Sequence, residues 1–471
     1  MPALAGLAPP PRTGPVPLPP LLGAGKGVRD AFGLPNTRGS QNFAVHWGNS
    51  GSFSNNQVQN LLDSFEHAWS VYVGEMDHAT PYGTESVRFN VYISDSGDGA
   101  PSSLGAGGYY WFDDEGWPMI VISRDVLFDN QYAAQVSHHE FYHAIQGATE
   151  RFAYSGISAW FTEATAEWGA YAVDYNNPYN GEFLFAYGLL NEYPLPFFDY
   201  PDTGALQEYY QYGAFLFPVF VSELGGWQLI RDTWMDTGAE PDPLEVLRAR
   251  MADDGLDLDE VWLDHTAHNA VWDYTLGAGF KEQVNDYKDI FGIDPIMATF
   301  SGEGTGGTEE VTERAPGHYG YNVIRLRSPD PGDLTITIDG NRGDEGSRVG
   351  FGARLIQDFG EDTYTYHDVP FDGRRASFVL EGVGEEDRIW LVVGAWAKEY
   401  NSLWAEERFT YSYSMEIVEA EPEPTETVFS TEDGTSEQPS SSCGCRSGSP
   451  VAAMLWAPLL LLLRRRRPAR W

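Results

Sequence analysis

The stretch Val136-Ser137-His138-His139-Glu140-Phe141-Tyr142-His143-Ala144-Ile145 constrains the chain more than any other. It contains the pattern His-Glu-x-x-His. As a helix it sets His139 and His143 one turn apart on one face, so that both imidazoles can converge on a single ion with Glu140 beside them. Neutral imidazoles suit zinc, which lowers the pKa of water to about 7, and an adjacent carboxylate can take the proton as that water attacks a carbonyl. The chemistry implied is hydrolysis. Five residues can arise by chance, so the surroundings must decide.

Two histidines leave a catalytic zinc short of a third protein ligand. A second helix, from Ser158, carries Trp160, Glu163, Ala166 and Glu167, and Glu163 follows His143 by 20 positions. That is room for one turn, a loop and the start of the next helix, so an antiparallel helix pair would bring the Glu163 carboxylate to the metal. Here the sequence resembles the gluzincin metallopeptidases, whose His-Glu-x-x-His is followed by Trp-x-x-Glu-x-x-Ala, matched by Trp160, Glu163 and Ala166. The resemblance implies zinc, Glu140 as general base, Glu163 as third ligand and peptide-bond hydrolysis. Glu167 takes the place of an acidic residue that orients the first histidine.

Downstream, Tyr210-Gln211-Tyr212-Gly213 followed by a helix and Gly225-Gly226 is similar to the Tyr-x-x-Gly segment of the aminopeptidase branch, whose tyrosine stabilises the oxyanion. Tyr210 is the first choice for that role, with Tyr212, His265 and His268 as rivals. The run is so aromatic that core packing accounts for it equally well. No Gly-x-Met-Glu-Asn motif for a substrate amine is present, which counts against an N-terminal exopeptidase. His138 points to another face of the motif helix and reads as a surface or supporting residue, while His46, His67 and His78 read as structural.

The rest of the chain falls into segments. Residues 1–40 open with a Pro- and Gly-rich run, read as disordered. Residues 41–300 alternate strand-like runs (Phe43–Trp47, Phe89–Ile93, Met119–Ile122) with helical periods, strand-rich first and helix-rich later. The motif helix spans about seventeen residues, capped by Asp129 or Asn130 and ended by Gly147. The expected class is α+β: a zincin-like metallopeptidase domain with a mixed sheet, an active-site helix pair and a helical second half. After the glycine-rich Ser301–Gly307, short strands between Gly, Asp and Pro turns over 308–418 read as an all-β sandwich or jelly roll. Asp339–Glu345 offers oxygens for calcium but has no bidentate Glu at the twelfth position and reads as a hairpin turn. Trp390 and Trp396 read as buried core, with a binding face of the sandwich as the alternative.

Asp plus Glu outnumber Lys plus Arg by 69 to 29, a formal charge of −40, which argues against nucleic acid or anionic lipid as the main partner. Residues 419–449 form an acidic linker with several Pro, Ser and Thr, ending in Ser440-Ser-Ser-Cys443-Gly-Cys445. Val451–Leu463 is apolar over 13 residues and precedes Arg464–Arg467. That is short for a spanning helix of about 17–25 residues, although the Arg cluster would face the cytoplasm. Cys-Gly-Cys, apolar run and Arg cluster together resemble the C-terminal sorting signal of myxobacterial surface proteins (the MYXO-CTERM type). The resemblance implies export, a sorting machinery that handles residues 450–471, and anchoring at the outer-membrane surface through Cys443 or Cys445. No signal peptide is visible, and a mis-assigned start codon would reconcile the two. The expected activity is that of an exported zinc metalloendopeptidase acting on protein or peptide. The alternatives are an exopeptidase with the same site, or a surface adhesin in which the zinc is structural.

Overall fold

The first sheet has five strands, β1 (Asn36–Gly39), β2 (Phe43–Trp47), β3 (Phe89–Ile93), β4 (Gly108–Phe112) and β5 (Pro118–Ile122), in the order β1-β2-β3-β5-β4. β2, β3 and β5 run parallel and are buried along nearly their whole length, the pattern of apolar strands covered on both faces. β1 and β4 are antiparallel additions at the two ends. The computed structural model describes residues 26–51, 53–199, 206–276, 279–291, 296–302, 308–340, 348–385, 387–399 and 407–418. It divides into the units Met1–Ala420 and Glu421–Trp471, the second of which lies outside the described residues together with Cys443 and Cys445.

Residues 26–39, expected as part of a disordered opening, are instead laid against the sheet. Gly27 bridges Val87, and Arg29 is ion-paired with Asp113 and, at 2.6 Å, with Glu115. Helix α1 (Asn55–Trp69) is capped by Ser54, through a reciprocal box with Gln57, and lays Val58, Leu61, Leu62 and Phe65 on the sheet. Helix α2 (Asn130–Thr149) carries the His-Glu-x-x-His stretch; Asp129 caps it by accepting from the backbone N–H of Gln131 and Tyr132 at 2.9 and 3.1 Å. It runs past Gly147 and ends at Glu150, whose φ is 53°. Gly147 is there for space: a Cβ would stand 2.5 Å from the Tyr110 hydroxyl. Helix α3 (Ala159–Val173) packs on α2, and a helical half follows: α4 (Leu184–Leu189), α5 (Tyr210–Gly213), α6 (Leu216–Gly225), α7 (Gln228–Trp234), α8 (Pro243–Asp253), α9 (Leu258–Val271) and α10 (Phe280–Phe291). Among the described residues no single helix is long and apolar enough to cross a membrane.

Ten further strands form two more five-stranded sheets. They are β6 (Ala298–Gly302), β7 (Thr308–Val311), β8 (Gly320–Pro329), β9 (Gly332–Gly340), β10 (Val349–Asp358), β11 (Tyr364–Val369), β12 (Phe371–Asp372), β13 (Arg375–Val383), β14 (Arg388–Ala397) and β15 (Tyr411–Val418). One sheet is ordered β11-β10-β14-β8-β6, the other β12-β13-β9-β15-β7. In β14 the residues alternate between two cores. Ile389, Leu391, Val393 and Ala395 face the other sheet, while Trp390, Val392 and Trp396 join the core of the helical half. Trp390 and Trp396 are thus packing residues, Trp396 lying 6.2 Å from both Trp262 and Tyr319. The class is α+β.

Helix α9 fits this sheet because two paired glycines make a notch. Gly352 and Gly394 are register partners, and a Cβ on them would stand 2.2 Å from Leu263 and 2.4 Å from Trp262. Beside the notch the buried Arg354 is held by Glu260 at 2.6 Å and Asp264 at 2.7 Å, both from α9, and by Asp368 at 3.2 Å. Asp339 is engaged by Arg375 at 3.0 Å and Arg374 at 3.4 Å, while Asn341–Glu345 lie outside the described residues. Gly394→Val should therefore overpack the notch and lower the unfolding free energy in urea by about 1–3 kcal/mol. Gly384→Ala, whose Cβ would have no neighbour nearer than 3.9 Å, should leave it nearly unchanged.

Candidate metal centre

Helix α3 is buried on nearly every residue, and two of those residues are the glutamates Glu163 and Glu167. A buried carboxylate without a partner is strongly disfavoured, so the neighbouring helix must answer both. It does so with His139 and His143. Nε2 of His139 and Nε2 of His143 are 3.0 Å apart, and Oε2 of Glu163 lies 3.2 Å from the first and 3.5 Å from the second. Tetrahedral zinc bonded at about 2.0–2.2 Å separates its ligand atoms by about 3.4 Å, so this triangle has the dimensions of three corners of such a site. The group could hold a metal ion.

Each corner is oriented from behind. His139 Nδ1 is 3.0 Å from Oε1 of Glu167, whose other oxygen accepts from Gln135 at 3.1 Å. His143 Nδ1 is 2.8 Å from Oε1 of Gln146. Gln146 Nε2 donates to the Thr162 carbonyl at 2.8 Å and to Thr165 Oγ1 at 3.0 Å, which leaves its oxygen to accept from the imidazole. Both histidines therefore place a proton on Nδ1 and turn the Nε2 lone pair toward Glu163. Oε1 of Glu163 accepts from the Tyr154 hydroxyl. Three acceptor atoms then share one small space, an arrangement that requires a cation or borrowed protons.

The electrostatics say the same. Burial opposes charge on His139, but Glu167 and Glu163 outweigh it and hold the imidazole well above its ordinary range. Burial would raise Glu163, yet His143 and His139 hold it well below. Burial dominates at Glu140 and pushes it up, against the pull of His139 and His143. Glu140, Glu163 and Glu167 are three buried carboxyls beside two imidazoles, an excess of negative charge that a divalent ion would balance. Gly108 of β4 lies directly over Glu140, where a Cβ would come within 2.9 Å of Glu140 Cγ.

The motif residues come together as the spacing requires, and of the oxyanion candidates Tyr212 alone is brought beside them. Tyr210 is 1 % exposed and its hydroxyl donates to the Tyr193 carbonyl at 3.4 Å, inside a cluster with Tyr187 and Phe197. Tyr212 is the one beside the centre, its ring 5.9 Å from that of His139. His265 is fully buried, 3.0 Å from the Tyr187 hydroxyl and 3.2 Å from that of Tyr274. His268 stacks on Tyr366 at 4.6 Å. His138, read as a surface or supporting residue, is buried against His67, with burial pushing its imidazole down to about 3. His46 and His78 are buried, as structural histidines would be. Tyr154 and Gln146 were missed by motif reading. The available signal for Tyr154 was its place in the short connection that the helix pair demands.

The chain belongs to a family of unknown function (DUF6055), whose model matches residues 29–424. No curated protein matches it. Among solved structures it is similar to the pre-peptidase C-terminal domain of a collagenase from Bacillus anthracis at 16 % identity, covering 26 % of this chain and 99 % of that one with a TM-score of 0.17. It is also similar to a family GH115 4-O-methyl-α-glucuronidase at 10 % identity, covering 62 % of this chain and 39 % of that enzyme with a TM-score of 0.14. At those scores neither likeness bears on fold or chemistry.

Glu182 tests the charge balance. Burial, with Glu167 adding to it, pushes this carboxyl from 4.5 up to about 8. Between those values the folded chain keeps a proton that the unfolded chain has lost, so stability falls as pH rises through the window. Glu182→Gln should remove that slope, which is at most about 1.4 kcal/mol per pH unit, and be more stable than the parent near pH 8 in urea titrations.

Proposed function

We propose that this chain is a zinc-dependent metallopeptidase of gluzincin type, most simply an endopeptidase, built on a zincin-like arrangement of mixed sheet and helix pair. The observation that carries the reading is the convergence of His139 Nε2, His143 Nε2 and Glu163 Oε2 at 3.0–3.5 Å beside the buried Glu140. A zinc ion held by these three residues would supply Lewis acidity, polarising a carbonyl and bringing the pKa of water to about 7.

The protein's own groups do the rest. Glu140 accepts a proton from water as the water oxygen bonds to the carbonyl carbon. It returns that proton to the amide nitrogen as the C–N bond breaks. The raised affinity of Glu140 for a proton suits both halves of that exchange. Tyr154 is the tyrosine suited to the developing oxyanion, since its hydroxyl already reaches Glu163 and its ring is 6.3 Å from that of His143. β4 is the last strand of its sheet, with β5 as its neighbour among the described residues. Its outer edge offers backbone N–H and C=O groups to an extended peptide laid across Glu140, which favours a chain interior over a terminus as substrate. The proposal extends to export and anchoring at the cell surface through the tail that carries Cys443 and Cys445.

With saturating zinc and an internally quenched peptide library, Glu140→Gln should retain the metal and lose on the order of 10²–10⁴-fold in kcat. Tyr154→Phe should lose on the order of 10²–10³-fold in kcat with little change in KM. No cleavage of any library peptide by the zinc-loaded parent chain would refute the peptidase reading.

A further inference from the structure

The aromatic run downstream of α3 divides into two sets. Leu184, Tyr187 and Tyr210 turn into the core, whereas Phe183, Phe185, Tyr209 and Tyr212 are half-buried. The second set forms a continuous ladder that starts at a metal ligand. The Tyr212 ring lies 5.9 Å from His139, Phe183 lies 4.9 Å from Tyr212, Tyr209 is stacked on Phe183 at 5.7 Å and 11°, and Phe185 follows at 6.0 Å. Its backing is tight: Gly213 allows α5 to approach so closely that a Cβ there would stand 2.5 Å from the Phe183 carbonyl and 2.8 Å from Tyr187 Cβ.

The chemistry of the ladder is equally restricted. From Phe152 to Ile230 the sequence has no Lys, Arg or His, so this wall offers no cation to a substrate carboxylate. Glu182, next to Phe183, is buried and holds its proton up to about pH 8, which leaves its side of the wall without charge at neutral pH. Rigid rings recognise another ring by burial and offset or edge contacts. Successive Cα atoms of a peptide are about 3.8 Å apart, so a residue flanking a carbonyl held at the metal extends its side chain to the depth of Tyr212 and Phe183.

We propose that Tyr212, Phe183, Tyr209 and Phe185 are the specificity wall of this site and take an aromatic side chain on the residue that flanks the scissile bond. This rests on the metallopeptidase reading and adds its substrate class: neutral peptides with Phe, Tyr or Trp at the cut.

The test uses the full chain loaded with cobalt(II), whose visible absorption reports ligand exchange at the metal, and three hydroxamates that share one metal-binding group. Acetohydroxamate reports the metal alone, phenylalanine hydroxamate adds the ring, and lysine hydroxamate adds a cation of similar reach. Phenylalanine hydroxamate should bind on the order of 10–100-fold tighter than acetohydroxamate. In a Phe183→Ala, Tyr209→Ala variant that ratio should collapse toward one, the cobalt spectrum of the free variant reporting that the centre is intact. Equal binding of the three probes by the parent chain, a preference for the lysine compound, or a phenylalanine preference that survives the double substitution would each overturn the wall. If acetohydroxamate perturbs the cobalt spectrum while the ring adds nothing, the wall alone fails. If no hydroxamate perturbs it, both the wall and the metallopeptidase reading fail.

Discussion

Three hydrogen-bond acceptors held within 3.5 Å of one another in a buried space repel unless a positive charge sits among them. Much of the first half of the chain is arranged around that requirement. Glu167 and Gln146 fix the two imidazoles from behind, and Tyr154 fixes the carboxylate. Without a metal the centre borrows protons, which is why His139 is so basic and Glu163 so acidic. A divalent ion would resolve the same conflict with a single species.

Holding such a centre demands stiffness around it. Helix α3 can carry two buried glutamates because the rest of its surface is packed apolar residues, among them Trp160, Phe161 and Trp168. The helical half is in turn braced by the sandwich. Trp262 and Leu263 of α9 enter a notch that only glycine permits at positions 352 and 394, and Arg354 locks the same junction by charge. Sandwich and helices share one hydrophobic core across this junction, so the β-rich segment is part of the body of the molecule.

What could be read from the sequence follows from how local each signal is. The spacing of His139, His143, Glu163 and Glu167 is a helix-pair signal carried by short-range periodicity, and the four side chains are found together. Tyr210 and Tyr212 were beyond that reach. They lie in a helix of only four residues, Tyr210–Gly213, and which one turns toward His139 is decided by how Gly213 seats against Phe183 and Tyr187. β10 lacks a clear strand pattern for a related reason. Gly350, Gly352 and Arg354 break the apolar alternation of a strand, and each is needed by a distant partner: Trp396, Leu263 and the α9 carboxylates. His138 read as a surface or supporting residue because its face of α2 carries no local signal of a partner, whereas α1 covers it.

The central claim is that a zinc ion is bound by two imidazoles and one carboxylate at the α2–α3 junction. Zinc K-edge X-ray absorption on the full chain, loaded with one equivalent of zinc, reads that set directly. The account predicts a first shell of nitrogen and oxygen only, at about 2.0–2.2 Å, with the outer-shell scattering of two imidazole rings. A sulfur shell at about 2.3 Å, which would mean that Cys443 and Cys445 had taken the metal, or a shell without imidazole scattering, would contradict it.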